Sequence, residues 1–169
     1  LDLVAGLRLD SARLALDAVG QTAGRLALGI GSATGPRGRM SFTYAMSGDT
    51  TRLFVDTLSA VIAERQWTLA APSRVTLDST GVAVDSLAVV AGGGGRVVLA
   101  GDFPSTRPVD ASFRMYQVPL ADLGALAQSR SPLGGLLTLD LTVAGMREDP
   151  TMRVSASADT VRVGEVRAP

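Results

Sequence analysis

Apolar and polar residues alternate along most of the chain. In Arg39–Ala45 (RMSFTYA), Met40, Phe42 and Tyr44 fall on one face. In Arg96–Phe103 (RVVLAGDF), Val97, Leu99 and Phe103 do the same. Leu137–Val143 sets Leu137, Leu139, Leu141 and Val143 against Thr138, Asp140 and Thr142. Met152–Ala158 sets Met152, Val154, Ala156 and Ala158 against Arg153, Ser155 and Ser157. Shorter runs of the same kind are Arg25–Ile30, Arg74–Leu77, Gly81–Val84, Ser86–Val89 and Val161–Val163. A period of two over such lengths predicts strands with one apolar and one polar face, suited to antiparallel pairing through short connections.

The breaks between these runs carry turn chemistry. Gly20, Gly35-Pro36, Gly48-Asp49, Ser79-Thr80-Gly81, Gly92–Gly95, Pro104–Pro108 and Asp149-Pro150 separate them. Glycine tolerates positive φ and proline fixes φ, so each is a natural reversal point. One stretch departs from the period. Pro119–Ser129 spaces Leu120, Leu123, Leu126 and Ala127 as a helix face, with Asp122 in the first turn and Arg130 past the end, as a helix dipole prefers. A short helix is expected near residues 120–129. Asp56–Glu64 is also compatible with a helix, but its flanks Leu53–Val55 and Trp67–Leu69 are strand-like, and a strand is expected. A weak repeat runs through the chain: a strand ends at Gly31, Gly101 or Gly145, a polar loop follows, and Pro36, Pro108 or Pro150 opens the next strand. The expected fold class is all-β: an elongated, curled, antiparallel-rich sheet with one short helix, spanning 1–169 as a single unit.

Composition narrows the chemistry sharply. The 169 residues contain no Cys and no His, and every one of the 16 basic residues is Arg. Thiol nucleophiles, zinc–thiolate sites, imidazole general bases, a phosphate-loop lysine and Schiff-base chemistry are thereby excluded. Sixteen acidic residues balance the arginines to a net charge of zero, which leaves no electrostatic footprint for nucleic acid. Apolar residues make up 46%, enough to rule out disorder of the weakly hydrophobic kind. No run of about 18 apolar residues and no secretory h-region is present. The chain starts at Leu1, without Met, and reads as a piece of a longer protein.

The remaining motifs are better explained structurally. Gly92–Gly95 is followed by the strand Arg96–Leu99, not by Lys-Ser/Thr and a helix, so it reads as a hairpin tip. Gly29–Gly35 has the wrong spacing for a dinucleotide fingerprint and runs into Pro36. Asp10, Asp17, Asp78, Asp85, Asp102, Asp140 and Asp159 fall on polar faces or at turns, and Asp49, Asp122 and Asp149 fit turn or cap positions. A carboxylate pair for glycoside hydrolysis is therefore a weak reading, and no calcium-loop spacing occurs. Trp67, the single Trp, fits a ligand anchor or a residue that packs on the core or closes one end of it.

The apolar face is the dominant feature, and two readings of it stand. It packs against a second sheet as a dry sandwich, which would suit a structural or adhesive segment of a surface protein. Alternatively the sheet curls and the face lines an open trough for apolar ligand. Low helix content leaves little to cover a long sheet and favours the trough. Its candidate lining residues are Leu28, Met40, Phe42, Tyr44, Val55, Leu77, Val84 and Val89 in the first half, and Val97, Leu99, Phe113, Met115, Leu137, Leu139, Leu141 and Val154 in the second.

Trp67–Val75 (WTLAAPSRV), Gly81–Val89 (GVAVDSLAV) and Gly95–Gly101 (GRVVLAG) resemble the W-x-L…P…V, strand, strand, G-x-V-x-L-x-G run of TamB proteins. Val109–Leu126 is similar to the strand and short helix that precede a G-x-L-x-L-x-L-x-x-x-G strand in that family. That strand would be Gly135–Gly145, with Asp149-Pro150 as the following D-P. The resemblance covers most of residues 20–165 and extends to the wider AsmA-like group. It implies a taco-shaped curled sheet with an apolar interior, in the periplasm of a diderm bacterium, on a parent protein anchored in the inner membrane. It implies a role in outer-membrane protein assembly and secretion with a TamA-like outer-membrane barrel, and in phospholipid transport between the membranes. The cargo would be phospholipid or unfolded outer-membrane protein. The barrel would be engaged by parts of the parent outside these residues. The family brings no cofactor and no catalytic residues to carry over.

Overall fold

The computed structural model describes residues 11–19, 21–31, 36–164 and 166–167. The turns expected at Gly20 and Gly35, part of the Gly29–Gly35 run, and Asp10 lie outside the described residues. The expected class holds: one antiparallel sheet and one short helix account for the described chain. The strands are β1 (Ser11–Val19), β2 (Ala23–Gly31), β3 (Arg37–Ser47), β4 (Thr50–Ile62), β5 (Arg65–Leu69), β6 (Ser73–Asp78), β7 (Gly81–Ala91), β8 (Arg96–Pro104) and β9 (Val109–Pro119). Helix α1 (Leu120–Leu126) follows, then β10 (Leu133–Met146), β11 (Asp149–Val163) and the two-residue β12 (Val166–Arg167).

The sheet is a meander. Successive strands are hydrogen-bonded neighbours from β1 to β12, without a crossover. β5 and β6 together occupy one place, because both pair with β4 on one side and β7 on the other. Ala70–Pro72 interrupts what is otherwise one strand, and Pro72, which has no N–H to donate, stops the ladder there. Connections are as short as two residues, as at Arg147-Glu148 between β10 and β11.

Four ladders change register by one residue. The extra residues sit at Asp56 in β4, at Asp85-Ser86 in β7, at Tyr116-Gln117 in β9 and at Thr160-Val161 in β11. Gln117 and Thr160 adopt positive φ of 47° and 55° there. Such bulges bend a strand and sharpen its twist. They also explain why Gly81–Val84 and Ser86–Val89 look like two strands in sequence: they are one strand, β7, whose phase is reset at the bulge.

The helix is shorter than its sequence pattern suggested and ends at Leu126, not Ser129. Gln128 turns left-handed at φ 50°, its N–H bonds Ala125 O and the Ser129 N–H bonds Gly124 O, the paired bonds that close a helix C-terminus. At the other end Pro119 is the N-cap and no side chain caps the helix.

A compact monomer of this size exposes about 7,800 Å²; this chain exposes 11217 Å². The excess arises because a single sheet has two faces and only a small part of one is covered.

Candidate functional site: an uncovered apolar face

Residues directly opposite in an antiparallel ladder point to the same side of the sheet. Following the pairing therefore assigns each side chain to a face. One row runs Leu16, Leu26, Phe42, Val55 across β1 to β4. A second runs Gly24, Tyr44, Leu53, Val75, Val84, Gly101, Ala111, Val143, Met152 across β2 to β11. A third runs Leu69, Val89, Val97, Met115, Leu139, Ala156, and a fourth Leu87, Leu99, Phe113, Leu141, Val154. Leu28 lies opposite Met40, Leu77 opposite Val82, and Leu137 opposite Val118.

All sixteen expected lining residues thus lie on one side. The same side carries residues outside the alternating runs, Leu14, Leu16, Leu53 and Leu58, and two residues of those runs, Val75 and Leu87. Leu58 and Leu87 stand just past a bulge, where the sequence period skips. Gly24 is also on this face, and its closeness to Tyr44 leaves no room for a side chain: a Cβ there would meet the Tyr44 ring and Asp17 O at 2.7 Å.

One end of the face is covered. Trp67, Ala91 and Val118 form a buried cluster, with Ala60, Ile62, Val89, Val97, Met115 and Leu123 packed around it. Leu123 comes from α1, so the helix folds over the apolar side at the rim where β4 ends and β5 begins. Gly124 lets it come close: a Cβ there would press on the Leu133 side chain at 3.3 Å. The polar fastening is internal. Trp67 Nε1 donates to Asp122 Oδ2 at 2.8 Å, Arg65 Nε lies 3.2 Å from the same oxygen, and Arg65 Nη1 donates to Gly92 O at 3.0 Å. Asp122 is 1% exposed. The cap role expected for Asp122 is therefore corrected. It begins no hydrogen bond to the helix backbone, because Pro119 already holds the N-cap position, and it is turned inward to satisfy the indole. Trp67 packs on the core at this end.

Elsewhere no element packs over the face among the described residues, although Val55 and Ala111 are buried on it. Among the described residues no second sheet faces it, and its large side chains are progressively more exposed toward β1 and β11. Leu14 is 69% and Val154 64% exposed.

The opposite side is polar. Arg74 and Arg114 pair with Asp85 and Asp140 at 2.8 and 2.9 Å, and Arg107 with Asp102 at 3.2 Å, all exposed; pairs of this kind contribute little to stability. The Asp85, Asp102 and Asp140 carboxylates are thus solvated-face groups, as expected. Asp149 differs from the turn role expected for it. It pairs with Met146 in the ladder, and the turn itself is Arg147-Glu148. A cleft of about 490 Å³ lined by Phe54, Pro72, Arg74, Asp85 and Arg96 lies on this polar side and shares no residue with the expected trough lining. Among the described residues no group of acids is placed to hold a metal ion, and no helix is long and apolar enough to cross a membrane.

Comparison of the chain with family models, with curated proteins and with solved structures gives no match. The geometry of the apolar face therefore carries the functional reading.

Proposed function

We propose that this chain is a TamB-like β-groove segment whose apolar face shields greasy cargo, either phospholipid acyl chains or unfolded outer-membrane protein, between the inner and outer membranes. The observation that carries the reading is the set of apolar rows that together run across the strands from β1 to β11 and that, among the described residues, only α1 covers, at one end. In water an acyl chain costs about 0.8 kcal/mol per CH₂. Rows built mainly of Leu, Val, Met and Ala offset that cost and, the Tyr44 hydroxyl aside, present no polar group to hold a headgroup, so chains slide. Exposed apolar surface of this extent marks a binding site in a soluble protein. In this reading the parent protein is anchored in the inner membrane, works in the periplasm and meets a TamA-like barrel through residues outside 1–169. The chain acts as a passive conduit and does no catalysis.

Photo-crosslinking tests this. A photoreactive residue at Phe42, Leu99 or Leu139 should label bound phospholipid, and one at Asp140 should not. Labelling from Asp140 equal to that from Leu139 would overturn the proposal. Leu139→Arg places a charge in the third row and should reduce bound lipid. Ser112→Arg, on the polar side, should not. Ser112 is a better control than Thr138, whose Oγ1 accepts the Gln117 N–H at the β9 bulge.

A further inference from the structure

Three irregularities of the sheet meet at one place, and we infer that the cleft they leave on the polar side is a binding site for a small amphiphilic acid, a single carboxylate on an aromatic or aliphatic body. This does not depend on which cargo the apolar face holds.

The first observation is how the cleft is built. β4 pairs with β6 up to Val55 and with β5 from Ser59. β7 pairs with β6 up to Val84 and with β5 from Val89. Residues 56–58 and 85–87 therefore border a break in the ladder, and a bulge lies on each side of it, at Asp56 and at Asp85-Ser86. Ala70–Pro72 links β5 to β6 across the break, held by the Ala70 N–H to Ala88 O at 2.8 Å. Sheets carry bulges preferentially beside their functional sites. Ser73 shows that the fold does not close on itself here. It is 4% exposed, and among the described residues its Oγ has no hydrogen-bond partner, where a buried hydroxyl ordinarily has one. Its pairing with Val55 sets it toward the apolar side, so it marks the break and contributes no contact to the acid.

The second observation is the chemistry of the lining. Phe54, Pro72 and three alanines, Ala70, Ala71 and Ala88, give the cleft of about 490 Å³ an apolar wall, and a volume of this order suits a small organic molecule. Two guanidiniums, Arg74 and Arg96, and one carboxylate, Asp85, stand around it. Arg74 is engaged by Asp85, with Nε at 3.0 Å and Nη2 at 2.8 Å from the same Oδ2. Among the described residues Arg96 is in no ion pair. The other acid at the break, Asp56, accepts from the Thr43 hydroxyl at 2.6 Å and does not line the cleft. The lining thus carries one uncompensated positive charge beside an apolar wall. A carboxylate satisfies it, because a guanidinium presents paired N–H donors that match both carboxylate oxygens. One negative charge balances the lining, and a second would stand unpaired against Asp85.

Benzoate is the probe, with its two halves as controls: benzamide, the ring without the charge, and acetate, the charge without the ring. In NMR titrations of the full 169-residue chain, benzoate should shift the backbone amides of Ala71, Ser86 and Ala88 saturably. Benzamide and acetate should each bind about tenfold more weakly. Arg96→Gln should weaken benzoate about tenfold, and Arg114→Gln, outside the cleft, should leave it unchanged. Asp85→Asn removes the one opposing charge and should tighten benzoate about threefold while leaving benzamide as it was. Ala71→Phe, at an exposed position of the wall, should fill the cleft and abolish the shifts. Benzoate shifts confined to the apolar rows would overturn the inference. So would benzamide binding as well as benzoate, benzoate binding indifferent to Arg96→Gln, or no saturable shift at these amides. The cleft contains none of the residues on which the conduit reading rests, so failure here and failure of lipid labelling from Leu139 are distinguishable.

Discussion

The helix-covered end of the sheet and its two outermost long strands, β1 and β11, are built from the same alternating sequence, yet they behave as different materials. Around Trp67, inward side chains are sealed: Val118 is 1% exposed and Trp67 6%. At β1 and β11, residues of the same chemistry and the same phase stand mostly in water. Alternation decides which side of the sheet a residue occupies. It does not decide whether that side is covered. Among the described residues the covering element is one seven-residue helix, and the buried cluster around Trp67 lies beneath it, while Val55, Ala88 and Ala111 are buried outside that cluster. The helix therefore supplies local stability, and its absence elsewhere leaves the surface on which the proposed function rests.

The largest expected effect is at the fastening. Asp122→Ala leaves the Trp67 Nε1–H without its acceptor in a buried site and removes the carboxylate facing Arg65. A loss of about 3 kcal/mol is expected, measurable by urea unfolding. Trp67 is the only Trp and so reports directly: its emission should shift to the red and quench more readily. An apolar dye should bind more strongly, because the covered end joins the open face. Unchanged Trp67 emission in this variant would mean that the fastening does not hold the helix down.

Next come matched truncations at the two regions. Val118→Ala removes buried methyl groups beneath α1 and should cost about 2 kcal/mol. Met152→Ala removes more side chain from the open face, yet Met152 is 59% exposed, and its effect should stay within about 0.5 kcal/mol. Equal losses at the two sites would show that a further layer covers the β11 end in solution and would break the contrast between the regions.

Much of this was legible in sequence, for reasons that particular residues make clear. The strand class and the face of each candidate follow from the period of two, and the Gly92–Gly95 tip and the helix after Pro119 follow from turn and cap chemistry. The bulges were also written in the pattern, as doublets that break alternation: Asp56-Thr57, Asp85-Ser86 and Tyr116-Gln117 each put two outward residues in succession before the apolar phase resumes. Read as a strand end, Asp85-Ser86 conceals the continuity of β7. The inward turn of Asp122 was not legible, because an acid in a first helical turn is ordinarily explained by the dipole, and its partner Trp67 is 55 residues away. Nor does alternation indicate which stretch of an apolar face a short helix will cover.

The smallest expected effect lies on the rim opposite the helix, at the β6–β7 turn. Asp78 Oδ1 accepts from the Thr80 hydroxyl, from the Thr80 N–H at 2.8 Å and from the Gly81 N–H at 3.1 Å. These bonds, led by the hydroxyl and aided by the Arg107 charge, hold its carboxyl below the ordinary 3.8. They favour the ionised form, so the folded chain binds this proton less readily than the unfolded one. The stabilisation is fully present above the ordinary aspartate value and is lost as pH falls through the depressed one. An NMR titration should place Asp78 below the ordinary aspartate value. Thr80→Val, which removes the leading donor, should move it back toward the ordinary value while leaving Trp67 emission unchanged. A shift in Trp67 emission on Thr80→Val would mean that the open rim and the sealed end are coupled through β7, and the two regions would then have to be treated as one cooperative body.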